Sequence, residues 1–242
     1  MKSFSTIILL FISLNTFAAN TYKNVDILFV IDNSGSMEPI QQNIIKNVNS
    51  VMKQLAQSPY LNWKIGVIST DKSDNPYLGF ETPFDWSIIE YRDPNSINVA
   101  MNIFKDALSQ LGTGGDASEY VFYNVNRVLE MYPQFLRPDA NLAVVMVSDE
   151  DEQSASDFGD NFKATPFLLS LYEKVTRKSN IRFYGALSRV DLEECNRTGD
   201  SSPYQGSTYE EIIKLTRGFA ISACAKNFGD ELVRITKDIS NL

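Results

Sequence analysis

The chain has 242 residues, which is the usual size of one α/β domain and leaves little room for a second. It carries 22 basic and 30 acidic side chains, a formal net charge of −8 and no basic run, which excludes nucleic acid and anionic lipid as expected partners. It contains no histidine and only 2 cysteines, which excludes a Ser-His-Asp triad, a Cys-His pair and the usual zinc sites. Any metal ion bound by this chain would therefore be held by oxygen atoms.

Residues 1–19 have the pattern of a secretory signal peptide. A basic residue precedes an apolar run at residues 7–14, and small residues allow cleavage after Ala18 or Ala19. Because the run is much shorter than the ~20 residues that span a bilayer, we expect cleavage and no stable membrane insertion afterwards. The sequence thus predicts a secreted or periplasmic protein in which residues 20–242 form one domain.

Strand and helix signals alternate along the rest of the chain. Apolar runs predict strands at residues 25–31, 63–70, 142–148, 181–187 and 219–223. Apolar residues at helical spacing predict helices that start near residues 37, 97, 121, 168, 209 and 228, and Gly218 is expected to stop the fifth of them. This alternation is typical of an α/β fold with a doubly wound, mainly parallel central sheet and helices on both faces.

Two stretches interrupt the alternation. Residues 71–96 are rich in aromatic residues and proline, and we expect part of this stretch to pair as an edge strand and the rest to form a loop. Residues 188–207 are polar and contain Cys195. In an oxidising compartment we expect a disulfide between Cys195 and Cys224, with two free thiols as the alternative. Closing a loop of about thirty residues would stabilise the fold by about 3 kcal/mol.

The sequence Asp-Asn-Ser-Gly-Ser, directly after the first predicted strand, is the most informative motif. It places one carboxylate and two hydroxyls, on Asp32, Ser34 and Ser36, at alternate positions of a short turn. Such oxygen donors suit a hard divalent cation. The Gly-rich residues 111–119 and the acidic residues 148–152 would reach the same edge of the sheet, since ligands collect beyond the carboxyl ends of parallel strands. The three loops together predict a cation site.

The order of these motifs resembles that of von Willebrand factor type A (VWA) domains, which carry a metal-ion-dependent adhesion site, over residues 24–238. The resemblance implies that Ser34 and Ser36 ligate the cation directly, and that Asp32 and Asp149 bind it directly or through water. A residue from the Gly-rich loop would complete the set. The implied cation is Mg²⁺, with Ca²⁺ or Mn²⁺ as alternatives, and the family leaves one coordination position for an acidic group of a protein partner.

The Gly-rich loop offers three interpretations. Many VWA domains place a Thr there, for which Thr113 is the candidate. Residues 115–119 are also similar to integrin β-subunit I-like domains, where an acidic residue replaces the Thr, and this similarity makes Glu119 or Asp116 the ligand. The third interpretation gives Asp116 and Glu119 no ligand role, since their spacing is that of a helix capping box.

The residues of the acidic run after the third predicted strand are expected to have different roles. Asp149 ends a strand that is otherwise apolar except for one serine, so we expect it at the cation site. Glu150 and Glu152 are assigned to a solvated face, which is the usual place of a charge run. A second calcium ion beside Asp151 or Asp71 is a further hypothesis.

The motifs together indicate a binding module: an exported VWA-domain protein that engages a protein partner through a divalent cation, and no enzyme. A structural or assembly subunit with an inactive metal site is the alternative. A metal-dependent hydrolase, in which the cation activates water, is a weaker alternative because the chain lacks a phosphate-binding GxxxxGK[ST] loop and a GxSxG elbow. The signal peptide and the lack of flanking modules point to a bacterial exported type.

Overall fold

The computed structural model describes residues 23–58, 61–72, 94–154, 163–175, 180–188 and 207–242. Strands and helices alternate along these ranges. The strands are β1 (Lys23–Ile31), β2 (Leu61–Ser69), β3 (Ala140–Ser148), β4 (Ile181–Leu187) and β5 (Ala220–Ser222). The helices are α1 (Glu38–Ala56), α2 (Pro94–Leu111), α3 (Val121–Met131), α4 (Ala164–Lys174), α5 (Ser207–Leu215) and α6 (Phe228–Ile239).

The described strands form one parallel sheet in the order β2-β1-β3-β4-β5. The register places Ile31, the last residue of β1, opposite Ser69 of β2 and Val147 of β3. Because β2 and β3 lie on opposite sides of β1, the strand order reverses between β1 and β3. In doubly wound sheets such a reversal opens a crevice at the carboxyl ends of the strands, where ligands bind. The predicted doubly wound α/β fold is confirmed.

Helices cover both faces of the sheet, and each face has its own apolar core. Residues from α1, α2 and α6 form the core on one face, and residues from α3, α4 and α5 form the core on the other. Successive residues of β1 alternate between the two, with Ile27 and Phe29 in the first core and Leu28 and Val30 in the second. Because both faces are buried, the central strands are almost continuously apolar.

Asp26 is the acidic exception within β1, and it lies near the amino end of the strand. Its carboxylate is 1% exposed and accepts hydrogen bonds from the backbone N–H and Nε of Arg137, both at 2.7 Å. The same guanidinium donates to the carbonyls of Val25 and Asn62. Burial raises the pKa of Asp26, and the Arg137 charge and hydrogen bonds oppose that rise. The ion pair with Arg137 explains why an acidic residue is buried in this apolar strand. Asp26 therefore needs no role at the candidate cation site.

Several sequence predictions fall outside or at the limit of the described residues. The signal peptide, residues 73–93 of the aromatic stretch with its predicted edge strand, and Cys195 lie outside them. Residues 94–96 were expected to be loop or strand but begin α2, because proline fits a first helical turn, where no backbone N–H is needed. Among the described helices, none has the length and apolarity needed to cross a membrane.

The end of α5 combines two unusual backbone positions. Arg217 has a φ of 61°, in the left-handed region, so a residue other than glycine makes the turn that follows the helix. Gly218 lies directly against β4, where an added Cβ would be 1.7 Å from the carbonyl oxygen of Phe183. The predicted helix stop at Gly218 therefore has a different cause, since glycine is required there by the close approach of two backbones.

Replacing Gly218 with alanine tests this close approach. We expect Gly218→Ala to reduce the free energy of unfolding by about 1–3 kcal/mol, because the atom that the new methyl group meets belongs to the backbone and cannot rotate away. Urea unfolding monitored by circular dichroism measures the change. Gly114→Ala is the control, since a Cβ at Gly114 meets no atom within 4 Å. Equal stability of the two variants would contradict the prediction.

Candidate metal centre

The chain segments that follow β1, β2 and β3 meet at the carboxyl edge of the sheet, because these three strands end at the same level. Asp32 follows β1, and its N–H donates to the carbonyl of Val147 in β3 at 2.9 Å. Thr70 follows β2, and its N–H donates to the carbonyl of Ile31 at 3.2 Å. The parallel register therefore brings the chain segments after β1, β2 and β3 together at the point where the strand order reverses.

Asp32 is fully buried and organises the loop that it begins. One carboxylate oxygen accepts the N–H of Ser34 at 2.8 Å, an Asx-type turn that fixes the direction of the loop. The other accepts the hydroxyl of Ser148 at 2.9 Å, which links the loop to the end of β3. Both oxygens therefore have fixed positions before any ligand binds.

The hydroxyls of the motif form a chain that leads to Asp149. The Oγ atoms of Ser34 and Ser36 are 3.0 Å apart, and the Ser36 hydroxyl donates to Oδ1 of Asp149 at 3.2 Å. Ser34 and Asp149 are buried, whereas Ser36 is exposed. The side chains of Asp32, Ser34, Ser36 and Asp149, which belong to two loops of the chain, thus lie together. Solvent reaches this group at Ser36.

The Gly-rich loop packs directly against the Asp-x-Ser-x-Ser loop. The N–H of Gly115 donates to the carbonyl of Asn33 at 2.9 Å, and an added Cβ at Gly115 would be 2.5 Å from the Asn33 side chain. An added Cβ at Gly35 would be 3.9 Å from the backbone oxygen of Thr113. Thr113 is half-buried, and its backbone lies beside the Asp-x-Ser-x-Ser loop.

Glu119 is the most unusual side chain of this region. It is 0% exposed, and its carboxylate lies beside the Thr70 hydroxyl and the Asp32 carboxylate, although no described residue makes a hydrogen bond of good geometry to either oxygen. Burial is the main cause that raises its pKa to about 10, and the charge of Asp32 adds to the rise. Burial beside a second acid disfavours the charged form of Glu119, so in the metal-free protein this side chain keeps its proton, and a bound cation would stabilise the charged form instead. The geometry thus brings Glu119, as well as Thr113, to the group.

Asp116 does not cap a helix, so the capping-box interpretation is wrong. Helix α3 begins at Val121, five residues later, because the chain first forms a bridge between Glu119 and Glu152. Asp116 is exposed, and its N–H donates to the carboxylate of Asp71 at 3.2 Å. This contact leaves the Asp116 side chain on the surface of the loop.

Glu152 instead supplies the cap of α3, and its assignment to a solvated face is wrong. Its Oε1 accepts the N–H of Phe122 at 3.2 Å, in the first turn of the helix, and its Oε2 accepts the N–H of Ser154 at 2.9 Å. The Ser154 hydroxyl accepts the next helical N–H, from Tyr123, at 2.9 Å. A carboxylate in this position also interacts favourably with the helix dipole. The loop after β3 is therefore attached to α3.

Sequence reasoning missed two buried amides that hold the loops. Nε2 of Gln41 donates to the carbonyls of Asp32 and Gly112, both at 2.9 Å. Nδ2 of Asn124 donates to the carbonyls of Ser69 and Asp71, at 3.0 and 3.1 Å. Each is a polar residue on the buried face of a helix, at a position where the apolar spacing expects a core residue. That departure from the pattern was the available signal.

The chemistry of this group fits a hard divalent cation. Its donors are all oxygen atoms, from the carboxylates of Asp32, Glu119 and Asp149 and the hydroxyls of Ser34 and Ser36. No lysine or arginine among the described residues forms an ion pair with Asp32 or Glu119. Within the described ranges no three Asp, Glu, His or Cys side chains form a metal-binding cluster by themselves. A cation here would therefore need the serine hydroxyls as well as the carboxylates.

No family model matches the sequence, and comparison with curated proteins finds no match. Solved structures with a similar fold include proximal thread matrix protein 1 from the mussel byssus, at 13% identity and a TM-score of 0.46 over 90% of this chain and 45% of that one. The same protein with a zinc-occupied MIDAS motif has 15% identity and a TM-score of 0.48 over 91% and 46%. The pilus adhesin SpaC from Lactobacillus rhamnosus GG has 14% identity and a TM-score of 0.48 over 90% and 30%. The chain spans less than half the length of these neighbours, and similarities with TM-scores below 0.5 carry no argument about its function.

The buried carboxylate of Glu119 gives a prediction about pH. In metal-free protein its raised pKa means that the folded state keeps a proton that the unfolded state releases above about pH 4.5, so stability falls as the pH rises from 4.5 towards 10. We expect Glu119→Gln to match the wild type near pH 4.5 and to be more stable by about 1 kcal/mol or more at pH 8. Thermal unfolding in EDTA across this range measures the difference.

Glu211→Gln is the matched control, because Glu211 is an exposed glutamate on α5. It should leave the pH dependence unchanged. An identical pH dependence for Glu119→Gln and the wild type would show that Glu119 is not held in the buried, uncompensated state described above.

Proposed function

We propose that this chain is an exported binding protein of the VWA type that engages a protein partner through a divalent cation. The observation that carries the proposal is the fully buried Glu119 carboxylate, which lies beside Asp32 and receives no hydrogen bond of good geometry from the described residues. A cation would stabilise the charged form of Glu119, which burial and the charge of Asp32 disfavour in the metal-free protein. The hydroxyl chain that opens to solvent at Ser36 supplies the side from which a partner would approach.

The cation would be held by residues of the Asp-x-Ser-x-Ser loop, the Gly-rich loop and the loop after β3. Ser34 and Ser36 would bind it through their hydroxyls, and Asp32 and Asp149 directly or through water. We assign the position from the Gly-rich loop to Glu119 in preference to Thr113 or Asp116, because a buried carboxylate without a described partner gains most from a cation. Mg²⁺ is the proposed ion, and Ca²⁺ or Mn²⁺ would fit the same oxygen donors.

The bound cation would offer one coordination position to an acidic side chain of the partner. The chain's own residues orient that position, since Asp32 and Ser148 fix the first loop and Glu152 fixes the loop of Asp149 against α3. We assign no enzymatic activity, because the donors around the cation have binding roles and the sequence has no histidine to act as a general base. The sequence pattern of residues 1–19 supports export, to the periplasm or to the medium.

A metal titration tests the proposal. We expect Mg²⁺, Ca²⁺ or Mn²⁺ to raise the melting temperature of EDTA-treated protein, with a stabilisation of about 2.7 kcal/mol when the ion is present at 100 times its dissociation constant. Asp32→Ala should abolish the response. Asp106→Ala removes an exposed carboxylate on α2 and should leave it intact. If neither calorimetry nor thermal unfolding detects binding of any ion to the wild type, the site is inactive and the structural-subunit alternative replaces this proposal.

The choice of the ligand in the Gly-rich loop has its own test. We expect Glu119→Gln to weaken cation binding by about tenfold or more, since it removes a charged ligand, and Thr113→Val to change it by less than about threefold. Isothermal titration calorimetry at one pH compares the two variants. The reverse order of effects would assign the position to Thr113.

We propose that Cys195 and Cys224 form a disulfide in the exported protein, and the described cysteine, Cys224, is not a free thiol. We expect Cys224→Ser to lower the free energy of unfolding by about 3 kcal/mol in the loop-entropy account. Dithiothreitol should destabilise the wild type by a similar amount and leave the variant unchanged. A wild type that reacts with a thiol reagent while folded would contradict the pairing.

A further inference from the structure

Gln41 lies in the first turns of α1, where it joins two loops that belong to different parts of the chain. One nitrogen, Nε2, donates both of its hydrogens, to the carbonyl of Asp32 and to the carbonyl of Gly112, each at 2.9 Å. The residue is 4% exposed and lies on the buried face of the helix with Ile40 and Ile44. Burying an amide without hydrogen bonds would destabilise the fold. The two hydrogen bonds therefore hold the Gln41 side chain in this position.

The two carbonyls mark the starting points of the loops at the candidate centre. Asp32 opens the Asp-x-Ser-x-Ser loop, and Gly112 opens the Gly-rich loop with a φ of 65°, a turn that glycine adopts without strain. A backbone hydrogen bond from the Gly115 N–H to the carbonyl of Asn33, at 2.9 Å, also joins these two loops. The separation of the two loops therefore depends on the Gln41 amide as well as on that bond.

We propose that Gln41 is a positioning residue for the cation site, one that sets the distance between the two ligand-bearing loops without touching the ion. This inference rests on the proposed function of the site. Residues that orient metal ligands through hydrogen bonds contribute ~10–100-fold to metal affinity in other proteins. Gln41 acts on backbone carbonyls at the base of the loops, so its contribution reaches the ligands of both loops at once.

The test compares two neighbouring glutamines. Gln41→Met keeps the length of the side chain and removes both donors, and Gln42→Met makes the same change at an exposed position one residue later. We expect Gln41→Met to bind Mn²⁺ and Mg²⁺ about tenfold more weakly or worse, equivalent to about 1.4 kcal/mol, and Gln42→Met to bind them as the wild type does. Isothermal titration calorimetry is run at a temperature where each metal-free variant is folded.

A second readout does not depend on the metal. In EDTA, the amide proton of Gly115 should exchange faster with solvent in Gln41→Met than in Gln42→Met, because the loops separate more often when the amide bridge is absent. Nuclear magnetic resonance measures this exchange at a single residue. Should Gln41→Met fail to fold, Gln41→Asn provides the same comparison, since its shorter side chain cannot reach both carbonyls.

The outcomes separate this inference from the proposed function. Unchanged metal affinity and unchanged Gly115 exchange, with only a lower melting temperature, would reduce Gln41 to a core residue and overturn the inference while the cation site stands. If the wild type binds no ion in the calorimeter, the positioning role is overturned together with the proposed function, and faster Gly115 exchange would then describe loop packing alone.

Discussion

Four hydrogen bonds fix Asp32, and the arrangement of the candidate site depends on them. Its N–H donates to Val147 of β3, its carboxylate oxygens accept from Ser34 and Ser148, and its carbonyl accepts from Gln41. These contacts connect the end of β1 to β3, to its own loop and to α1. A single residue at the reversal of the strand order therefore fixes the Asp-x-Ser-x-Ser loop relative to β3 and α1.

The same residue creates the electrostatic problem that a cation would solve. Asp32 and Glu119 are both fully buried, and the charge of the first adds to the burial that raises the pKa of the second. Two acids in such a place destabilise the metal-free fold. The metal-free fold has to keep Glu119 protonated, and a divalent ion would replace that proton, so the cost in the metal-free state and the proposed affinity for the ion have one physical origin.

The alternating apolar runs were enough to predict the sheet, because strands buried on both faces leave a clear pattern. The limits of β4 and α6 agree with the sequence, since each is bounded by an abrupt change from apolar to polar residues. The motif at Asp32 was recognisable for the same local reason. The burial of Glu119 was not, because it depends on the bridge to Glu152 and on the attachment of that loop to α3.

Tertiary contacts also decided the residues that the sequence misassigned. Asp116 has the spacing of a capping box, but the bridge formed by Glu119 delays the start of α3 until Val121. Gln41 carries no motif, and its role follows only from the meeting of two carbonyls that are distant in the chain. Local patterns therefore predict which residues of the chain carry oxygen donors. Tertiary packing determines which of the loops that carry them come together.

A crystal structure of the protein grown with Mn²⁺, with anomalous diffraction data, would locate the cation directly. We expect one anomalous peak within about 2.0–2.6 Å of the hydroxyl oxygens of Ser34 and Ser36, with carboxylate oxygens of Asp32, Glu119 or Asp149 completing the coordination directly or through water. A peak at another place on the protein, or none at a Mn²⁺ concentration that saturates binding in solution, would contradict this expectation.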